Sequence, residues 1–339
     1  MALYIVTGAA GFIASKVSET LLSEGHSVIG LDNLNAAYDP RLKHWRLDRL
    51  RAHTGFQFLR VDISDRRGLG EALAGIPTPA AVINLAARAG VRQSVARPSV
   101  YIETNVTGTL NLLDFCRERG VSKFILASTS SLYGAHNPMP YREDSDTSRP
   151  LSPYAASKKA AESLAYTYHH LYGMDVTVLR YFTVYGPAGR PDMSVFRFVH
   201  WLTQGIPVLI YGDGSQSRDF TYVDDIAQGT VASLKLKGHQ TINLGSDQPV
   251  RLMDILRTVE TLTGKKAQID FRPVHSADVP ATWADITVAR RELGWEPRTH
   301  YQQGIANVVS WYEENRAWTS HVNVADDPGL EVESAAAIA

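Results

Sequence analysis

A short apolar run, Leu3–Thr7, leads directly into Gly8-Ala9-Ala10-Gly11-Phe12-Ile13-Ala14, and this turn constrains the chain more than any other feature. A strand that passes through closely spaced glycines into a helix gathers backbone N–H groups at a helix N-terminus, which makes a cradle for a pyrophosphate. The spacing is Gly-x-x-Gly-x-x-Ala, with alanine where close helix–strand packing calls for a third glycine; a methyl group is the smallest departure. Asp32 follows 24 residues after Gly8, behind the next apolar run. A carboxylate there accepts from both hydroxyls of an adenosine ribose and repels a 2′-phosphate, so the two features together predict NAD rather than NADP. Asp62-Ile63, after the third apolar run, is placed to flank the adenine.

The rest of the first half repeats this grammar. Apolar runs at 27–31, 56–61, 81–85, 123–127 and 175–180 alternate with stretches of helical spacing, several of which end at a glycine (Gly25, Gly120, Gly173) as a helix C-terminus does. The runs are apolar throughout, as strands covered on both faces should be. Residues 1–180 are therefore predicted to form an α/β unit, a Rossmann-type doubly wound parallel sheet that binds NAD. Beyond Arg180 proline and glycine become denser and the alternation is lost. Residues 181–318 are expected to form mainly a smaller C-terminal α+β lobe that binds substrate, with a strand near 240–245 returning to the first sheet. Residues 319–339 end in an alanine-rich stretch without a packing pattern and are expected to be a flexible tail.

Composition narrows the function classes. At 44% hydrophobic and 20% charged residues the chain is neither disordered nor fibrous. A net charge of −1 argues against a dedicated nucleic-acid binder. Cys116 is the one cysteine, which excludes a disulfide framework and a multi-cysteine metal site, and no metal is expected. No apolar run approaches the ~18–20 residues of a membrane span, and no basic leader precedes a long apolar run. A cytoplasmic protein without membrane partners is the expectation.

Ser152-Pro153 reads as a helix start, and Tyr154 and Lys158 then lie four residues apart on one helix face. A free phenol, with pKa ~10, is a poor base. A nearby ammonium, helped by the positive charge of a nicotinamide, favours the phenolate. Tyr-x-x-x-Lys recurs on surface helices and says little alone. Here it follows a dinucleotide turn and the hydroxyl run Ser128-Thr129-Ser130-Ser131, which sits where a strand ends and open parallel sheets bind their ligands. One of those hydroxyls can donate to a substrate oxygen and share its proton with Tyr154.

Several further segments join these in order. They are Asp32-Asn33-Leu34, Asn84-Leu85-Ala86-Ala87, Asn105-Val106-Thr107-Gly108-Thr109, Tyr154-Ala155-Ala156-Ser157-Lys158, Arg180-Tyr181-Phe182, Arg218-Asp219-Phe220-Thr221-Tyr222-Val223-Asp224-Asp225, Ala284-Asp285 and Glu292-Leu293-Gly294-Trp295. Over about residues 3–315 the chain resembles the extended short-chain dehydrogenase/reductase superfamily, and within it the NAD-dependent nucleotide-sugar epimerases. The resemblance implies that NAD is held by Gly8, Gly11, Phe12, Ile13, Asp32, Asn33, Asn35, Asp62, Ile63, Leu85, Ala86, Ala87, Asn105, Tyr154, Lys158 and Tyr181. The segments Ala89-Gly90-Val91-Arg92-Gln93-Ser94, Phe182-Thr183-Val184-Tyr185-Gly186-Pro187 and Gly189-Arg190-Pro191-Asp192-Met193 look like those of UDP-glucuronate 4-epimerases. UDP-galactose 4-epimerases usually carry asparagine at the position of Thr183 and lack the last run.

By that resemblance Thr129, Tyr154 and Lys158 form the catalytic trio, and the reaction converts UDP-glucuronate to UDP-galacturonate through a 4-keto sugar. Arg218 resembles the diphosphate-binding arginine; an ion pair with Asp219 or Asp224 is its alternative role. Asp278 takes the position that holds the uridine ribose, and Val208 and Tyr211 that of the uracil pocket. A carboxylate on C5 needs partners, and Thr183, Ser130, Ser131 and Arg190 or Arg92 are the candidates. Arg190 also reads as a loop cap and Arg92 as a diphosphate contact, while Arg88 departs from the subfamily's glutamine without an assigned role. The nearest alternative is a 4-epimerase of a neutral UDP-hexose. UDP-glucuronate decarboxylases typically carry glutamate at the position of Ser131, and 4,6-dehydratases an Asp-Glu pair at Ser130-Ser131, so both fit less well. The retained trio argues against a non-catalytic NAD-binding scaffold. Helices near 100–119 and 153–172 resemble those of an intersubunit four-helix bundle, and with Leu110, Leu112, Leu113, Phe115, Leu164, Tyr168 and Leu171 they predict a homodimer.

Overall fold

The structure is a computed structural model, and it describes residues 1–274 and 278–324. Apolar runs form β1 (Leu3–Thr7), β2 (Ser27–Asp32), β3 (Phe56–Arg60), β4 (Ala81–Asn84), β5 (Lys123–Thr129) and β6 (Asp175–Tyr181). After them come β7 (Thr183–Tyr185), β8 (Val208–Tyr211), β9 (Ser217–Tyr222), β10 (His239–Leu244), β11 (Pro249–Arg251) and β12 (Ile269–Arg272). The large sheet has the order β10-β6-β5-β4-β1-β2-β3, and every pairing in it is parallel. The chain winds outward from β1 to β3, crosses back to β4, and winds the other way. The carboxyl ends of β1 and β4 therefore flank the point where the winding reverses, which is where doubly wound sheets open a ligand crevice.

The first-half helices are α1 (Phe12–Ser23), α2 (Pro40–Arg51), α3 (Arg66–Leu73), α4 (Val91–Ala96), α5 (Pro98–Tyr101), α6 (Gly108–Arg119) and α7 (Pro153–Tyr172), with a π-helical segment, Ile102–Thr107, leading into α6. The second half adds α8 (Ser194–Gln204), α9 (Val223–Ala232), α10 (Leu252–Thr263), α11 (Thr287–Leu293), α12 (Tyr301–Glu314) and α13 (Arg316–Thr319). Leu69, Leu73, Leu112, Leu113, Ala161 and Ala165 pack α3, α6 and α7 onto one face of the large sheet. On the other face Val17 and Leu21 of α1 meet Val223 and Ile226 of α9 and Ala289 and Leu293 of α11. The second half thus returns to the large sheet twice, as the strand β10 and as covering helices. A separate core around Phe196, Phe198, Ile255, Val259, Trp311 and Tyr312 joins α8, α10 and α12 beside the small sheets β11-β9-β7 and β12-β8. Leu42 of α2 enters this second core, and α2 also packs beside α1 and β3 of the first half.

The end signals act as the sequence implies. Ser152 accepts from Ala155 N at 3.2 Å with Pro153 in the first helical position, and Gly173 closes α7 at φ +66°. β5 and β6 run slightly further than their apolar runs, because the ladder continues through Ser128 opposite Arg180 and Thr129 opposite Tyr181. Residues 319–324, expected to begin a flexible tail, pack instead. Thr319 and Val322 are buried, Asn323 N donates to Asp39 Oδ2 at 2.9 Å, and Arg197 Nε donates to Val324 O at 3.0 Å. The remainder of that expected tail, 325–339, lies outside the described residues. No described helix is long and apolar enough to cross a membrane.

Candidate active site

The loops that follow β1 and β4 are pressed together. Thr7 Oγ1 donates to Asn84 Oδ1 at 2.7 Å and accepts from the backbone N–H groups of Leu85 and Ala86 at 3.1 and 3.0 Å. Gly8 stands at φ +69°, and a Cβ there would lie 2.9 Å from Ala86 Cα, so both conformation and space demand glycine. A Cβ on Gly11 would lie 2.7 Å from Gly8 O. Beyond this turn Asp32 is buried, and its Oδ1 accepts from Leu34 N at 2.7 Å, with Lys43 Nζ 3.5 Å from the same oxygen. Asn33 Nδ2 donates to Asp62 Oδ2 at 2.7 Å. Burial pushes the Asp62 carboxyl up, but hydrogen bonds from Ser64 and Asn33 outweigh it and hold the group below its usual value. A glycine cradle continuing into two ionisable carboxyls with amide neighbours fits a dinucleotide.

The same cavity, of about 550 Å³, continues past Leu85, Ala86 and Ala87 to Thr129, Ser130, Ser131, Tyr154, Lys158, Tyr181 and Thr183. Thr129 is the last residue of β5 and Tyr154 belongs to the first turn of α7. Burial pushes the Tyr154 phenol up, opposed by a hydrogen bond with the Thr129 hydroxyl and by the charge of Arg190. The downward push expected from Lys158 is not among these influences. Lys158 Nζ instead donates to Ala127 O at 2.9 Å, and burial lowers its ammonium to about 8 against the pull of Glu162.

Glu162 is a site-supporting residue that the sequence reading passed over. It lies one helical turn beyond Lys158, accepts from Ser128 Oγ at 2.6 Å, and takes a two-pronged ion pair from Arg180 at 3.0 and 2.9 Å. Arg180 also donates to the Tyr133 hydroxyl at 3.1 Å, and Tyr133 donates to Asn243 Oδ1 at 2.6 Å. This buried network joins β5, α7, β6 and β10 behind the trio. An acidic residue four positions after the lysine was the signal available in the sequence.

At the far end Arg92 pairs with Asp278 at 2.6 Å, and its guanidinium lies 3.8 Å from the centre of the Tyr211 ring. That places Arg92 with the two residues expected at the nucleotide. Arg218 lines the cavity and donates to Ser217 O and Pro280 O at 2.8 and 3.3 Å. Its alternative ion pair is not formed. Asp219 is buried among the backbone N–H groups of Ser246, Asp247 and Ala284, and Asp224 lies 3.5 Å from Lys16. Arg190 grips Asp192 through Nε at 3.1 Å and through its second nitrogen, and it donates to Ala89 O at 3.4 Å.

Two expected contacts stand elsewhere. Val208 points into the second core, because strand alternation turns Val208 and Ile210 inward and leaves Leu209 and Tyr211 on the cavity. Asn105 does not line the cavity. It lies beneath the loop after β4, where its Oδ1 accepts from Arg88 N at 2.8 Å and its amide donates to Arg88 O and Ser157 Oγ at 3.0 and 2.9 Å. The cavity adds Tyr38, Lys43 and Arg197, which the sequence reading did not single out, and Met193 of the 189–193 run. Lys43 and Arg46 stand among Leu42, Leu47 and Leu50 on the buried side of α2, and basic residues on an apolar helix face were the available sign.

The family described as GDP-mannose 4,6 dehydratase matches residues 5–308. A UDP-glucuronate 4-epimerase of Thermodesulfobacterium geofontis is 52% identical over 316 residues, which cover 93% of this chain and 97% of that relative. The crystal structure of a UDP-glucuronic acid 4-epimerase from Bacillus cereus, in complex with UDP-glucuronic acid and NAD, has a TM-score of 0.87 at 35% identity, covering 92% of this chain and 99% of that one. A UDP-glucose 4-epimerase from Thermotoga maritima has a TM-score of 0.86 at 31% identity, covering 93% and 99%.

Proposed function

We propose that this chain, which belongs to the GDP-mannose 4,6-dehydratase family of extended short-chain dehydrogenases/reductases, is an NAD-dependent enzyme that interconverts UDP-glucuronate and UDP-galacturonate. The observation that carries the reading is one cavity lined by Thr129, Tyr154, Lys158 and Thr183 together with Ser130 and Ser131, the positions at which the resemblance implies acids in dehydratases and decarboxylases. A dehydratase must protonate a leaving hydroxyl and abstract a second proton, and two serines do neither. Bound in the cradle of Gly8, Gly11, Asp32 and Asp62, NAD would supply a reversible hydride acceptor for C4 of the sugar and would not be consumed. Tyr154 takes the proton of the C4 hydroxyl and Thr129 hydrogen-bonds the reacting oxygen, while Lys158, turned to Ala127 O in the same cavity, is assigned to hold the nicotinamide ribose. Burial disfavours the Tyr154 phenolate, and positive charge added beside it favours that form.

Gly8, Gly11, Asp32 and Asp62 are assigned to NAD, and Arg92, Arg218, Tyr211 and Asp278 to the UDP end, where two guanidinium groups against one carboxylate favour a diphosphate. Thr183, Ser130 and Ser131 are the assigned donors to the sugar carboxylate. The pairing of Arg190 with Asp192 favours a second reading, a 4-epimerase of a neutral UDP-hexose, because it leaves that guanidinium already matched. Turnover of UDP-glucuronate and UDP-glucose by the purified protein, measured side by side, separates the two. UDP-glucuronate is expected to be the faster substrate; equal or faster conversion of UDP-glucose overturns the assignment.

A homodimer is part of the proposal. Leu112, Leu113 and Tyr168 are used by the protein's own core, whereas Ile102, Tyr166, Leu171 and Tyr172 are exposed on or beside α6 and α7. Those side chains support a partner face on the two helices.

A further inference from the structure

Arg46, on α2, is among the largest fully buried side chains at 2% exposure. Its guanidinium donates to Ala188 O through Nε at 3.0 Å and through Nη2 at 2.6 Å, and from Nη2 also to Gly189 O at 3.3 Å. Nη1 donates to Ala10 O at 3.1 Å and to the Tyr38 hydroxyl at 2.8 Å. The group also lies 5.8 Å from the centre of the Phe12 ring and 5.6 Å from that of Tyr38. All of these acceptors are uncharged. A guanidinium cannot release its proton, and a buried cation without an anion is unfavourable unless its surroundings offset the lost hydration.

The acceptors come from two places that must cooperate. Ala10 belongs to the glycine turn after β1, while Ala188 and Gly189 begin the segment that carries Arg190, Asp192 and Met193 into the cavity. Ala188 is itself at φ +52°, the left-handed region that a residue with a side chain seldom occupies, and its carbonyl receives two of the five hydrogen bonds. The forked, planar donor set suits this bridge, and a single ammonium does not reproduce it.

We propose that Arg46 is a positioning residue that fastens the 186–193 loop at the sugar end to the dinucleotide turn. Occupancy of the cofactor cradle then helps fix the shape of the sugar pocket, and the reverse holds by linkage. The inference rests on the proposed function for the identity of the two ligands.

Arg46→Lys and Arg46→Met, each compared with wild type, test it. Three quantities are read: the NAD retained through gel filtration at high salt, KM and kcat for UDP-glucuronate with excess NAD, and the melting temperature. Both variants are expected to retain less NAD and to show KM raised roughly tenfold, within the usual range of intersite coupling, with a smaller change in kcat. A lowered melting temperature with NAD retention and KM unchanged would mean a purely structural strut and overturns the proposal. If Arg46→Met does not fold, Arg46→Lys decides, because it keeps the charge and loses the fork. A wild-type enzyme inactive on UDP-glucuronate overturns the substrate assignment instead; NAD retention and KM for the sugar nucleotide that is turned over then judge Arg46.

Discussion

The Tyr154 ring makes an edge contact with Tyr101 at 6.1 Å between centroids, and its hydroxyl meets Thr129 at the end of β5. Tyr154→Phe keeps the ring contact and removes the hydroxyl alone. Turnover is expected to fall ~10²–10⁴-fold, with NAD content and melting temperature near wild type. Near-normal turnover would assign the base to another residue. Lys158 offers a second test, through pH. Burial lowers its ammonium to about 8, and the Glu162 carboxylate opposes that fall, so Glu162→Gln lets the proton leave at still lower pH. The alkaline limb of kcat/KM, which reports the free holoenzyme, is expected to move downward in that variant. An unmoved limb would show that the proton of Lys158 does not set it. The same substitution leaves Arg180 buried without its carboxylate, so it should also cost about 3–5 kcal/mol of stability. Tyr154 and Lys158 were legible in the sequence because helix spacing alone puts them on one face. The pairing of Glu162 with Arg180 was not, since it joins a helix to a strand.

Among the elements, the β1–α1 turn does the most to set where ligands bind. Gly8 and Gly25 have similar backbone angles, φ +69° and +80°, but a Cβ on Gly8 would meet Ala86 backbone whereas nothing lies within 4 Å of one on Gly25. Gly25→Ala therefore incurs only the left-handed penalty of roughly 1–2 kcal/mol. Gly8→Ala incurs that and a backbone collision, and it should lose bound NAD as well as stability. Thermal melts together with NAD content measured on both variants check the contrast; equal effects would mean that the approach of the two loops is not limiting. The strands, the α7 caps and the turn itself were readable, because each is decided within a few residues. The face of β8 was not, and Val208 shows why. Alternation says that neighbours point opposite ways, while only packing against α8 and α10 decides which of them meets the core.

For the molecule as a whole, the exposed Ile102, Tyr166, Leu171 and Tyr172 predict a dimer, with a mass by light scattering about twice the 37.3 kDa of one chain. A single-chain mass at micromolar concentration would count against it. The return of the second half to the large sheet, through β10, α9 and α11, leaves no clean cut at residue 180, although the composition does change there. The sequence by itself determined the parallel α/β sheet, the dinucleotide turn, and the tyrosine and lysine on one helix face, because periodicity, caps and short spacings are local. Only the tertiary structure decided which charge meets which. Arg92 finds Asp278 across 186 residues, Arg190 turns to Asp192, and Arg46 is left to backbone carbonyls and a phenol from both ends of the site. The physical reason is that a charge settles with whatever partners the sheet topology brings within hydrogen-bond reach, and separation along the chain does not encode that reach.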